Sequence, residues 1–210
     1  MPATPDASPR QSPPRTRELV LATRNPHKLR EFARLLEPAG IKAVPLPPEI
    51  ELPPEDGETF AENALPKARA AAAGTGRVAI ADDSGIEAAA LGGAPGVRSA
   101  RYAGQKATDR ENLEKLLREA PTGTALRYVC VVAYADPRNA EERLFFGECR
   151  GQLASEPRGS RGFGYDPAFV PEQDPHGRTM AELSDHEKDL ISHRGRAVRA
   201  LIEWLSARQP

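Results

Sequence analysis

The sequence predicts a mixed α/β fold. Short apolar runs of strand type alternate with segments whose apolar residues recur at helical spacing. Later in the chain two long strand-like runs follow one another with only a polar connection between them, and capping or turn residues mark most junctions.

Residues 1–17 (MPATPDASPRQSPPRTR) hold five prolines and no large apolar residue beyond the initiator. They cannot join a packed core and read as a disordered leader, placing the domain at 18–207. From Glu18, the run ELVLA reads as a strand that meets Thr23-Arg24-Asn25-Pro26. A helix follows, with Leu29, Phe32, Leu35 and Leu36 at helical spacing, Asn25 as N-cap, Pro26 in the first helical position and Gly40 past the end. Thr59 and Glu62 form a capping-box pair that starts a second, Ala-rich helix to Gly74, which Pro66 should bend. Arg77 to Ala81 is a strand ending at Asp82-Asp83-Ser84-Gly85, and Thr108 to Glu119 is an amphipathic helix. ALRYVCVVAYA and RLFFGECRGQL, joined by DPRNAEE, read as an antiparallel pair. Ser184 and Glu187 make another capping box, and Val198, Leu201, Ile202 and Leu205 stripe the last helix.

The hydrophobic share of 39% against 28% charged residues is that of a globular chain with a core. Basic and acidic side chains nearly balance, 29 against 30, so no overall field draws the chain to nucleic acid or to an anionic membrane. No apolar run is long enough to span a bilayer, and the N-terminus lacks a signal-peptide core. With two cysteines, Cys130 and Cys149, in apolar or strand-like stretches, the expected compartment is the reducing cytoplasm.

Several stretches can carry chemistry. The turn Thr23 to Lys28 joins a strand end to a helix start, where free backbone N–H groups and the helix dipole favour an anion. Lys28 adds a point charge, and a triphosphate tail fits there; the same turn also serves as an ordinary cap. Asp82 and Asp83 are adjacent strand residues, so at most one can face a given site. One is read as a Mg²⁺ ligand or a base, against the alternative that both cap the turn. Glu55, in the acidic loop ELPPEDGET, either supplies a further metal carboxylate or is simply solvated. In RGSRGFGYDP, Phe163 and Tyr165 stand among glycines that allow close approach to a flat base, or else pack on the core. Ser192-His193-Arg194, with Lys188 one turn earlier, gathers donors at a helix start. His27, His176 and His186 lack the spacing of a zinc site.

Taken together, LATRNPHKLREF, DGETFAENALPKARAAA, ADDSGIEAAALGGAPGVRSARYAG, GFGYDPAFVPE and AELSDHEKDLISHRGRAV resemble the family of inosine/xanthosine triphosphate pyrophosphatases. They occur in the family's order from about Leu19 to Leu205. The resemblance implies an elongated α/β fold of two lobes with a central cleft, a homodimer, and hydrolysis of XTP, ITP and dITP to the monophosphate and pyrophosphate with Mg²⁺. By the same resemblance, Thr23, Arg24, Asn25, Pro26, His27 and Lys28 contact the triphosphate, and Lys67 lies near the phosphates. Asp83 is the catalytic, magnesium-binding aspartate, Ser84 touches substrate, and Glu55 is the auxiliary metal ligand. Phe163, Gly164, Tyr165 and Asp166 form the base-binding loop, while Lys188, His193 and Arg194 embrace the purine.

Arg24 stands where many relatives have a small residue, so its side chain either swings away from the phosphates or joins them. Donors near His193 and Arg194 would pair with a 6-oxo group and be left unpaired by the 6-amino group of adenine. Rival readings are a non-catalytic nucleotide sensor, a pyrophosphatase for modified pyrimidine nucleotides and an RNA-binding module; the last is disfavoured by the near-zero charge and few aromatics.

Overall fold

A computed structural model describes residues 17–208. The leader expected over residues 1–17 lies outside the described residues, except that Arg17 opens the first strand and pairs with Ile41. The elements are β1 (Arg17–Leu21), α1 (Pro26–Leu36), β2 (Ile41–Pro45), α2 (Phe60–Thr75), β3 (Ala79–Ala88), α3 (Asp109–Glu119), β4 (Ala125–Asp136), β5 (Glu141–Leu153), β6 (Phe169–Pro171), α4 (Asp185–Ile191) and α5 (His193–Ser206). They build one six-stranded sheet in the order β2-β1-β3-β4-β5-β6. β1 runs parallel to β2 and β3, and the remaining neighbours are antiparallel. The mixed α/β fold is therefore present.

Local chemistry accounts for the helix ends. The Asn25 side chain accepts from the N–H groups of His27 and Lys28, and Pro26 occupies the first turn of α1. Gly40, at φ 67°, ends the 3-10 turn after α1 in the left-handed conformation that glycine adopts without cost. Capping boxes at Thr59/Glu62, Thr108/Glu111 and Ser184/Glu187 start α2, α3 and α4. α2 carries Pro66 in its interior without a break. Ser192 stops α4 and caps α5, so the closing segment is two helices.

Three of these features depart from expectation. β3 does not end at the aspartates but runs on to Ala88, placing Asp82 and Asp83 in mid-strand opposite Val132 and Val131 of β4. The ladder to β4 continues through both residues, and burial of Ile86 and Ala88 rewards extending it. β2 and β6 were not foreseen. β2 has one buried residue in five, and β6 is three residues long, too short to show a period.

Three buried clusters surround the sheet. α1 and α5 cover one face around Phe32, Leu36, Ile80, Val132 and Leu201, while α2 covers the opposite face around Phe60, Ala68, Ala81 and Val131. The far halves of β3, β4 and β5 enclose a separate cluster with α3, including Ile86, Leu116, Tyr128 and Phe169. Two packed ends are thus joined by three continuous strands, and Asp82 to Gly85 lie between them. Gly147 lets α5 approach β5, because a Cβ there would fall 2.1 Å from the His193 carbonyl oxygen. That approach presents His193 and Arg194 to the middle of the sheet.

Candidate active site

The site forms where β1 leaves the sheet. From β1 the chain crosses through α1 to β2 on one side, then through α2 to β3 on the other, and the two helices cover opposite faces. This is a topological switch point, where the strand ends of an α/β sheet leave a crevice. β1 pairs with β3 at Val20↔Ala79 and Leu21↔Ile80, with Ala22 N–H donating to Ile80 O. Farther along β3, Lys67 Nζ donates to Asp82 O at 2.7 Å instead. A cavity of about 360 Å³ opens there, lined among others by Thr23, Asn25, Lys28, Glu55, Lys67, Asp83, Ser84, Phe163, Lys188, His193 and Arg194.

Strand alternation separates the two aspartates. Asp83 faces α2, where Asn63 Nδ2 donates to its Oδ2 at 2.9 Å, while its Oδ1 accepts from Ser84 N at 3.0 Å. Asp82 faces α1 and α5, with Oδ2 at 3.0 Å from Lys28 Nζ and 3.1 Å from Arg194 Nη2. Burial alone would raise the Asp82 pKa, but Lys28 and Arg194 outweigh it and hold the group well below the usual carboxylate range. Asp83 goes the other way. Burial raises its pKa, Lys67 and Lys28 offset this in part, and the nearby Glu55 charge adds to the rise. Among the described residues Asp83 makes no ion pair, whereas Glu55 is paired with Lys67.

The opposite end of the cavity is a buried charge network. Glu31 accepts from Lys188 Nζ at 2.7 Å and from Arg194 Nη1; Lys188 Nζ also donates to Asp166 Oδ2 at 2.6 Å, and Arg194 Nη2 to Ser84 Oγ at 2.8 Å. Tyr128 donates from its hydroxyl to Asp166 Oδ1 at 3.2 Å and stacks on the His193 ring with centroids 4.5 Å apart and planes at 7°. Phe163 N–H donates to Asp166 Oδ2 at 2.9 Å, and the Phe163 ring lies 5.2 Å from Lys188 Nζ. Lys188 stays charged: burial opposes it, but Asp166 and Glu31 raise its pKa. His193 Nδ1 and Arg194 Nε are buried without a partner.

The network predicts a two-step acid response. Burial first, then the Arg194 charge, push the His193 pKa well below 6.5, so the unfolded chain takes up a proton near pH 6.5 that the fold refuses. Glu31 is pulled down to about 2, because Arg194 and Lys188 outweigh burial. For both groups the stability is complete above the unfolded pKa and is lost as pH falls. Urea unfolding should show stability declining below about pH 6.5 and more steeply below about 4.5. His193→Gln should flatten the first limb; an unchanged first limb would contradict this account.

Most of the expected site residues meet at this cavity. Tyr165 and Gly164 line it, though the Tyr165 hydroxyl donates to Ser99 O at 2.7 Å and Gly164 N–H to Asp109 Oδ2 at 2.9 Å. Pro26 and His27 are not among the lining residues. Pro26 fills the first turn of α1, and the His27 ring stacks on Phe163 with centroids 5.1 Å apart. The guanidinium of Arg24, a lining residue, donates to the carbonyls of Leu46, Pro47, Pro48 and Ile50. Glu31, Asn63 and Tyr128 were missed. For Asn63 a signal existed: with Lys67 it forms a polar i,i+4 pair on the buried face of an Ala-rich helix.

The Asp83 and Glu55 carboxylates line one cavity, a donor set that fits Mg²⁺, which takes one or two carboxylates plus phosphate oxygens and water. Among the described residues no three His, Cys, Asp or Glu side chains converge as a metal cluster.

Comparison with known proteins shows the family. The chain is 49% identical over 193 residues to a dITP/XTP pyrophosphatase of Symbiobacterium thermophilum, covering 91% of this chain and 96% of that one. It is 47% identical over 197 residues to a dITP/XTP pyrophosphatase of Yersinia pestis, covering 90% and 98%. Among solved structures it is similar to a HAM1 protein from Coxiella burnetii, with a TM-score of 0.79 and 44% identity over 91% of this chain and 99% of that one. The Ham1 protein of Staphylococcus aureus gives a TM-score of 0.78 and 36% identity, covering 92% of this chain and 100% of that one. The Ham1 family model matches residues 19–204, and the chain belongs to the Ham1 family.

Proposed function

We propose that this chain hydrolyses aberrant purine nucleoside triphosphates, XTP, ITP and dITP, to the monophosphate and pyrophosphate, clearing deaminated purines from the nucleotide pool. The observation that carries the catalytic part is Asp83: a buried carboxylate on a cavity wall, with raised pKa and, among the described residues, no ion pair.

Asp83 and Glu55 would hold Mg²⁺, which when bound supplies Lewis-acid neutralisation of phosphate oxygens. Lys28 and Lys67 would bind the phosphate tail, whereas the backbone N–H groups at the start of α1, expected to be free for an anion, are taken: those of His27 and Lys28 by the Asn25 side chain and that of Leu29 by the Asn25 carbonyl. Each Asp83 oxygen accepts one hydrogen bond and keeps one further lone-pair direction, so one oxygen could serve the metal while the other accepts a proton from a water as it attacks the α-phosphorus, the α–β anhydride bond breaks and pyrophosphate leaves. At the base end Phe163 offers a stacking face, with Lys188 and Arg194 around it. Held neutral, the His193 ring carries one N–H, and a 6-oxo group accepts from it and from Arg194. Adenine would leave those donors unpaired, at about 1–3 kcal/mol each. That both His193 and Arg194 line the cavity supports this selection.

The two buried, unpaired thiols agree with a cytoplasmic setting, and no helix among the described residues is long and apolar enough to cross a membrane. A homodimer, which the family resemblance implies, would show in sedimentation as twice the chain mass.

The test is product analysis with XTP in Mg²⁺ and in EDTA. Pyrophosphate and XMP in Mg²⁺, and neither in EDTA, support the reading. Tight XTP binding without turnover in Mg²⁺ would make the chain a sensor.

A further inference from the structure

Between β2 and α2 lies a connection of 14 residues, 46–59, with no strand or helix of its own. Loops of this length inside a packed domain are uncommon and are as a rule functional. Its prolines, Pro47, Pro48, Pro53 and Pro54, carry no N–H. One backbone bond falls within residues 46–58, Ile50 N–H to Pro47 O at 3.2 Å. The loop therefore does not hold its own shape, yet it must present Glu55 to the cavity.

Side chains from outside do the holding: Lys67 pairs with the Glu55 carboxylate, Glu62 Oε2 accepts from Glu58 N–H at 2.8 Å, and three more take the backbone along the loop. Arg24, in the turn after β1, donates from Nη1 to Leu46 O at 2.9 Å and from Nη2 to Pro47 O at 2.8 Å, Pro48 O at 3.2 Å and Ile50 O at 2.8 Å. Arg101 Nη2 donates to the backbone carbonyl of Glu55 itself at 2.8 Å. Asn63 Oδ1 accepts from Gly57 N–H at 2.8 Å while its Nδ2 donates to Asp83 Oδ2 at 2.9 Å. The loop is thus tied at its start to the turn that meets the phosphates, at Glu55 to the 3-10 segment Gly96–Arg101, and at its end to the amide that also orients Asp83.

We propose that Arg24 and Arg101 are positioning residues: they clamp loop 46–58 through its backbone carbonyls so that Glu55 is held opposite Asp83. Arg24 accordingly acts on the metal carboxylate through the loop and does not ligate the phosphates. A planar guanidinium suits the task, since its donors diverge in a fixed fork and can take several carbonyls together, whereas the single ammonium of lysine cannot span them. The assignment rests on the pyrophosphatase reading for its kinetic consequence, but the clamp itself can be read without catalysis.

The experiment compares wild type, Arg24→Ala, Arg24→Lys, Arg101→Ala and, as a control at an exposed helix pair, Arg110→Ala. Metal-free protein is exposed to a glutamate-specific protease, for which the loop offers Glu49, Glu51, Glu55 and Glu58. Cleavage within the loop should be at least about fivefold faster in Arg24→Ala and Arg101→Ala, intermediate in Arg24→Lys and unchanged in Arg110→Ala, with the Tm of all variants close to wild type. The Mg²⁺ concentration for half-maximal XTP turnover should rise about tenfold in the two alanine variants, while XTP affinity in EDTA stays the same. Wild-type loop cleavage in both alanine variants would overturn the clamp. A loss of XTP affinity in EDTA matching the loss in kcat/KM for Arg24→Ala would make Arg24 a phosphate ligand instead. Should Arg24→Ala unfold, Arg24→Lys and Arg101→Ala give the same decision. Should wild type not hydrolyse XTP, the pyrophosphatase reading fails while the protease result still decides the clamp.

Discussion

Asp83→Asn is expected to lower kcat for XTP by about 10²- to 10⁴-fold, the range associated with losing a positioned acid–base group. The substitution keeps the volume and one carbonyl oxygen, so Ser84 N–H retains an acceptor and the fold should survive. It removes the charge that a cation needs and the group that accepts a proton from water. Because Lys28 and Lys67 are untouched, XTP should still bind, and the loss should fall on kcat more than on KM. Wild-type turnover by Asp83→Asn, measured by pyrophosphate release, would remove Asp83 from the chemistry.

Glu31→Ala should give the largest loss of stability, about 3–5 kcal/mol, because it strips a partner from two buried cations at once. Lys188 would keep Asp166, and Arg194 would keep Asp82 and Ser84, so the network would be damaged but not dissolved. For a chain of this size the cost corresponds to a Tm drop on the order of 10 °C. Glu31→Gln keeps an acceptor oxygen and should lose less. A thermal scan showing Glu31→Ala within about 2 °C of wild type would mean that the two cations find other partners or water.

Much of this architecture was legible because its signals are local. Asn25 and Pro26 fix the start of α1, the Thr-x-x-Glu and Ser-x-x-Glu pairs fix α2 and α4, and two long apolar runs fix β4 and β5. The alternation of Asp82 and Asp83 across the strand also followed from period two alone. What stayed hidden depends on partners distant in sequence. Glu31 sits on α1 like any charged helical residue, and only the return of α4 and α5, 157 and 163 residues later, makes it the hub of Lys188 and Arg194. The extension of β3 beyond Gly85 reflects ten residues of pairing with β4 that outweigh a locally turn-like Asp-Asp-Ser-Gly. The sequence left the Arg24 side chain either swinging away from the phosphates or joining them, because the loop whose carbonyls it takes begins 22 residues later.

The measurement that tests the central claim most directly is kcat/KM for XTP and ATP side by side in Mg²⁺, with pyrophosphate as the product followed. Two donors left unpaired by adenine cost about 2–6 kcal/mol together, so XTP should be preferred by at least about 30-fold, and His193→Ala should narrow the ratio. Equal turnover of ATP and XTP, or release of orthophosphate in place of pyrophosphate, would contradict the account.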